Sequence, residues 1–160
     1  MKVIDDFMPK DYFLELQEFM LGTYMPWFYN PYIAYESDID KFQFTHTFLR
    51  DNGNQSDLLH ILNPIFEKIE VKELISVKAN LGTRDIKNTQ GGWHVDYDVE
   101  DIHTAVFYIN TTNGYTLFED GTKVESKENR FASFTAQTKH TGVSHTDTQV
   151  RVVLNMNYKL

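Results

Sequence analysis

The chain has 160 residues, 41% of them apolar and 14% aromatic, which suits one domain able to bury roughly two-thirds of its unfolded surface and excludes a disordered chain. It has no cysteine, so disulfides, thiolate metal sites and cysteine nucleophiles are excluded, and a bound metal would need nitrogen and oxygen ligands. The net charge of -8 argues against duplex nucleic acid as a partner, and the absence of a signal-like or spanning apolar run leads us to expect a cytoplasmic protein with no membrane partner.

Helical signals gather early in the chain. Pro9 sits at a first helical position, and Phe13, Leu16, Phe19 and Met20 carry an apolar face as far as Gly22. The aromatic stretch from Tyr24 to Tyr35, with Trp27 inside it, fits either core packing or a peptide-binding groove. Residues 42–48 alternate like a half-buried strand, and 51–54 read as a turn. Ser56 then caps a second helix through Leu62, Ile65, Phe66 and Ile69, kinked or restarted at Asn63-Pro64. These signals predict a helical support region over residues 1–73.

From residue 74 the pattern changes to short strands, at 74–81, 93–96, 104–109, 115–118, 123–124, 130–135 and 151–158, with turn signals at Asn113-Gly114 and Asp120-Gly121. Helices at the start followed by many strands suggest helices packed on one face of an antiparallel sandwich or rolled barrel. The expected fold is α+β, mainly β: a double-stranded β-helix of the jelly-roll, cupin-like kind. Residues 74–160 form its β core, in a single domain spanning 1–160.

The chemistry concentrates in His94-Val95-Asp96. Residues two apart in an extended segment share a face, so both ligand-type side chains can reach one site from one short strand while Val95 packs behind them. A third ligand from a distant strand would complete two imidazoles and a carboxylate with open positions, the set used by non-haem Fe(II) sites. His140 is the first candidate and His145 its competitor. His145 lies close to Arg151 and in a stretch that reads as loop, which favours His140. His46, His60 and His103 have no partner at ligand spacing and read as structural or surface residues. Asp98 could share the face of Asp96 and meet a substrate, or be a solvated loop carboxylate. Arg130 and Lys139 read as surface charges, and the polar stretch 84–92 as a lid over the site.

These elements together carry a resemblance. The run Gly92-Trp93-His94-Val95-Asp96, then TAVFYIN at 104–110, GYTLF at 114–118, NRFASF at 129–134, KHTG at 139–142 and RVVLNMNY at 151–158, resembles the 2-oxoglutarate- and Fe(II)-dependent oxygenases, and within them the small prolyl-hydroxylase-like branch found in many phages. The likeness covers residues 74–160. It implies Fe(II) held by His94, Asp96 and His140, with 2-oxoglutarate and O2 as co-substrates and ascorbate to keep the iron reduced. It further implies that Arg151 grips the distal carboxylate of 2-oxoglutarate through its planar two-pronged guanidinium. Tyr108 would bond the same carboxylate, and Asn155 stands where relatives often place a hydroxyl residue. The sequence departs from many relatives upstream of the His-x-Asp pair, where a tyrosine is replaced by Asn80-Leu81-Gly82; Asn80 would take over part of its role.

The implied reaction is hydroxylation of an organic substrate with succinate and CO2 as co-products, first of all on a prolyl residue in a peptide or protein, in the host cytoplasm for a phage-encoded chain. A free amino acid, another small molecule or a modified nucleobase are the alternatives. Two readings come from other classes, a Zn-dependent hydrolase and a non-catalytic β-barrel binding module. Arg151 separates them from the first, since a hydrolase has no need of a receptor for a dicarboxylate. The sequence leaves the oligomeric state open.

Overall fold

Side chains pointing to opposite faces along the long strands give one large sheet two faces, one covered by the helices and the other by a smaller sheet. The computed structural model describes residues 1–33, 41–51 and 53–160. In chain order these form β1 (Lys2–Ile4), α1 (Lys10–Leu21), β2 (Phe28–Asn30), β3 (Gln43–Arg50), β4 (Gly53–Asn54), a 3₁₀ turn (Asp57–Leu62), α2 (Asn63–Ile69), β5 (Glu73–Thr83), β6 (His103–Tyr108), β7 (Tyr115–Phe118), β8 (Lys123–Glu125), β9 (Arg130–Thr135), β10 (His140–Val143) and β11 (Val150–Lys159). The large sheet runs β1-β9-β6-β11-β5-β3-β2 with β4 on β3, and the small one β10-β7-β8. All pairs are antiparallel. Single bridges Gln90↔Val143 and His94↔His140 extend the small sheet beyond β10.

On the outer face of the large sheet, Val77, Ala79, Phe107, Val152, Leu154 and Met156 pack with Phe13, Leu16 and Met20 of α1 and Ile65 and Phe66 of α2. Burying a side chain such as Phe107 or Leu154 contributes about 1.5–3 kcal/mol. On the inner face, Val106, Tyr108, Ala132, Phe134 and Val153 meet Phe118 and Val124 of the small sheet. The result is a mainly β jelly-roll core with its helices on one face, as the sequence predicts.

Local chemistry explains the helix ends. Pro9 is extended (ψ 138°) and caps α1 from outside its first turn, with its carbonyl accepting from Phe13 N at 3.0 Å. Gly22 closes the helix where a Cβ would stand 2.7 Å from Glu18 O. Ser56 accepts from Leu58 N, so it caps the 3₁₀ turn, and Asn63-Pro64 restarts the chain as α2.

Three expectations need correction. Residues 1–73 are not only helical support: besides β3, which matches the strand read at 42–48 and pairs along much of β5, the strands β1, β2 and β4 lie there. β1 and β2 are three residues each, too short to show a period. Residues 93–96 form no ladder strand, since only His94 bridges, to His140. Of Gly142-Val143-Ser144, read as loop ahead of His145, Gly142 and Val143 instead end β10, which pairs along its length with β7. At the predicted turn, Asp51 takes a left-handed φ of 50° and Gly53 enters β4, while Asn52 lies outside the described residues, as does Tyr35 of the aromatic stretch. Among the described residues no helix is long and apolar enough to cross a membrane.

Candidate metal centre

Two backbone hydrogen bonds, His94 N to His140 O at 3.0 Å and His140 N to His94 O at 2.9 Å, bring the two histidines side by side with ring centroids 4.5 Å apart. The chain then turns, with Asp96 N donating to Ala136 O, and the Asp96 carboxylate approaches the Nε2 atoms of both imidazoles. The ligand-type atoms of His94, Asp96 and His140 all lie within 4.8 Å of one another. Asp96 Oδ1 is 3.7 Å from His94 Nε2 and 3.9 Å from His140 Nε2.

Surrounding groups decide which atoms are free to bind. His94 Nδ1 stands 3.1 Å from Gly92 O and His140 Nδ1 2.9 Å from Thr138 O. A carbonyl only accepts, so each Nδ1 carries the proton and each Nε2 presents its lone pair inward. Asp96 Oδ2 accepts from Thr104 Oγ1 at 2.7 Å and Asn157 Nδ2 at 3.0 Å, which leaves Oδ1 facing the imidazoles. Burial pushes the His140 pKa below the ordinary imidazole value, against the pull of Asp96, and a neutral imidazole is the form that binds metal.

The three residues open on a cavity of about 300 Å³ that also reaches Lys78, Asn80, Asn155 and Arg151. Arg151 sits opposite Gly82, with its Cζ 5.7 Å above the Tyr108 ring. Burial pulls its pKa below the usual guanidinium value, and none of the ion pairs among the described residues involves it. Its Nε is buried without a partner, as are Asn80 Oδ1 and Asn155 Oδ1. Gly114 makes room for it: a Cβ there would stand 2.9 Å from both Arg151 Cδ and Val143 O. A partly buried guanidinium with no ion-pair partner among the described residues thus shares one cavity with two imidazoles and a carboxylate, a donor set able to receive a small anion beside a metal.

Compared by sequence, the chain matches no family model and no curated protein. Its fold, however, is shared with solved structures. An oxidoreductase of the 2OG-Fe(II) oxygenase family from Burkholderia pseudomallei superposes with a TM-score of 0.71 at 11% identity, over 98% of this chain and 84% of that one. A prolyl hydroxylase from Trichoplax adhaerens, solved in complex with a peptide fragment of the hypoxia-inducible factor oxygen degradation domain, gives 0.66 at 9% identity over 99% and 83%. A viral collagen prolyl hydroxylase from Paramecium bursaria Chlorella virus-1 gives 0.59 at 13% identity over 99% and 89%. The chain has the fold of the 2-oxoglutarate- and Fe(II)-dependent oxygenases. Within this oxygenase fold the His-Asp-His group lies at one end of the small sheet, and Arg151 stands on the facing large sheet.

The other residues singled out in the sequence fall in varied places. Tyr108 is fully buried; its hydroxyl is engaged with Thr116 Oγ1 at 2.7 Å, and its ring supports Arg151. Asn80 and Asn155 both line the cavity. His145 stands apart from the triad and lines an adjoining cavity of about 270 Å³ that shares Arg151 and Asn80 with the first. Of the stretch 84–92 read as a lid, Arg84, Asp85, Thr89 and Gly91 line that second cavity. The stretch is pinned by Arg84 N to Gln149 O, Asp85 N to His145 O and Gly91 N to Gly142 O, and by Thr89 N to Ser144 Oγ.

His46 binds Pro26 O and Ser56 Oγ, His60 binds Asp57 O and His103 stacks on Tyr158, so all three serve local structure. Asp98 accepts from Gln137 in an exposed loop, while Arg130 and Lys139 pair with Asp5 and Glu119. Sequence reasoning did not single out Thr104, Asn157, Gly114 or Lys78. The alternation of 151–158 would have placed Asn157 on the same face as Arg151 and Asn155, but nothing local ties it to Asp96.

Proposed function

We propose that this chain, acting as one domain over residues 1–160, is a 2-oxoglutarate- and Fe(II)-dependent dioxygenase that hydroxylates an organic substrate, first of all a prolyl residue in a peptide or protein. The observation that carries the reading is the joint presence, in one cavity, of a metal-ready His-Asp-His group and a partly buried Arg151 whose Nε has no partner. His94 Nε2, His140 Nε2 and Asp96 Oδ1 would hold the iron. Arg151 would hold the distal carboxylate of 2-oxoglutarate, with the Tyr108 ring behind it and the Asn80 and Asn155 amides alongside. Bound iron, with 2-oxoglutarate and O2, supplies the oxidising chemistry: the substrate C–H becomes C–OH, O2 provides the oxygen, and 2-oxoglutarate leaves as succinate and CO2. The chain's own residues orient these partners, neutralise charge and keep water out. Ascorbate would keep the iron reduced, and the cytoplasm is the compartment this reading assigns. A zinc hydrolase leaves Arg151 without a role.

The prolyl assignment draws on the two prolyl hydroxylases that share the fold, one of them solved with a peptide. The test is an anaerobic titration of the metal-free protein with Fe(II) and 2-oxoglutarate, followed by the visible charge-transfer absorption of an iron-chelated 2-oxo acid. The absorption should vanish in His140→Ala. In Arg151→Ala it should demand roughly tenfold to a hundredfold more 2-oxoglutarate, the usual worth of a charge-assisted contact. Its absence from the wild-type protein would sink the oxygenase reading.

A further inference from the structure

Lys78 lies in the middle of β5, opposite Asn155 on β11 and Thr47 on β3. In this part of the sheet, side chains two apart along a strand face the same way, so Lys78 shares the inner face with Asn80, and it lines the cavity of the His-Asp-His group. A lysine pointing into such a cavity is costly unless something compensates its charge. No ion pair among the described residues includes it. Burial lowers its pKa below the ordinary lysine value; the Asp96 carboxylate pulls the other way, favouring the ammonium form, and Arg50 opposes it.

The position matters as much as the charge. Along β11, Asn157 donates to Asp96, and the rung next but one, Asn155 with Lys78, is its diagonal neighbour. Arg151 stands four residues further along, about 13 Å of extended chain away. By register Lys78 therefore stands nearer the metal end of the cavity and Arg151 nearer the far end.

Charge balance then points outward, on the oxygenase reading given above. A ferrous ion, the Asp96 carboxylate, the 2-oxoglutarate dianion and the Arg151 guanidinium sum to zero. Once a metal takes the Asp96 charge, the Lys78 ammonium is left over, beside the unpartnered buried Oδ1 of Asn155. We propose that Lys78 is a substrate-binding residue that anchors a carboxylate of the substrate. The chemical class it selects is a carboxylate-bearing molecule, whether a free amino acid or a peptide with an acidic side chain beside the hydroxylated residue.

The test uses the full chain loaded anaerobically with Fe(II) and 2-oxoglutarate, and reads the perturbation of the charge-transfer absorption by added probes. Free L-amino acids are set against their C-terminal amides. Acetylated, amidated proline tripeptides carrying glutamate next to proline are set against the same peptides carrying glutamine, so the two sources of the carboxylate are read separately. We expect perturbation by the carboxylate member of at least one pair and not by its neutral mate. That binding should weaken roughly tenfold to a hundredfold in Lys78→Met, recover largely in Lys78→Arg, and leave the 2-oxoglutarate titration within about twofold of wild type.

Equal responses to charged and neutral mates, no response to any probe, or unchanged binding in Lys78→Met overturns the assignment. So does a matching loss of 2-oxoglutarate affinity in Lys78→Met, which would move Lys78 to the co-substrate. A wild-type protein with no absorption at all fails the oxygenase reading itself, a result distinct from each of these.

Discussion

Three residues without chemistry of their own decide whether the ligand-type side chains can act. Asn157 and Thr104 take one oxygen of Asp96 and so aim the other at the imidazoles. Gly114 gives Arg151 its passage, because a methyl group there would meet Arg151 Cδ on one side and the Val143 carbonyl on the other, each at 2.9 Å. The carbonyl belongs to β10 and cannot retreat without breaking the pairing with β7. Gly114→Ala should therefore displace the guanidinium. The half-saturating 2-oxoglutarate concentration should rise about tenfold, the equivalent of one misplaced charge-assisted bond, while metal affinity stays near wild type. Parallel titrations with metal and co-substrate check this, and an unchanged 2-oxoglutarate curve would mean that the arginine has another route. The sequence marks Gly114 only as half of an Asn-Gly turn signal; that it also borders a side chain 37 residues away depends on the register of β10 and β11.

At the scale of elements, the short β1 is held on the edge of the large sheet by its pairing with β9 and by Asp5, which binds Arg130 and Lys127. Those two cations hold the Asp5 carboxyl well below the usual carboxylate range. Its folded-state pKa is depressed, so the stabilisation is present above the unfolded value near 4 and is lost as pH falls below it. Because the groups are largely exposed, Asp5→Asn should cost no more than about 1 kcal/mol at neutral pH. The gap between variant and wild type should close as pH drops below about 4. Urea unfolding at a series of pH values measures both effects, and a gap that persists in acid would assign the loss to something other than this ion pair.

At the scale of the whole molecule, the candidate site is a seam between sheets. His140 belongs to the small sheet, and His94 is bridged to it, whereas Arg151 stands on the large one. A metal and a dianion that together reach all of them tie the two sheets to one another. Binding to the folded state alone stabilises by about 2.7 kcal/mol at a hundred times Kd, which for a chain of this size raises Tm by about 5–10 °C. Mn(II), a redox-stable stand-in for Fe(II), together with 2-oxoglutarate should produce this rise. His140→Ala should abolish it. Differential scanning fluorimetry is the measurement, and a rise that survives in His140→Ala would place the metal elsewhere.

What the sequence by itself determined is what near neighbours encode. The strands at Tyr115–Phe118 and Arg130–Thr135 match the predicted bounds, because alternation and turn residues act over a few positions. The same holds for the helix closed at Gly22 and for the restart at Pro64. The jelly-roll class followed from the order of these patterns, and His94, Asp96, His140 and Arg151 drew attention by residue type and order. The tertiary structure alone decided that β1 and β2 join the large sheet and that 93–96 bridges at one residue. It alone decided that Asp96 Oδ2 is taken while Oδ1 is free, and that Lys78 faces the metal end of the cavity. Each of these depends on which residue of one strand stands opposite which residue of another, and a shift of one position would turn every side chain to the other face. Register of that kind is set by the packing of both faces at once, a property of the assembled sheets rather than of any segment.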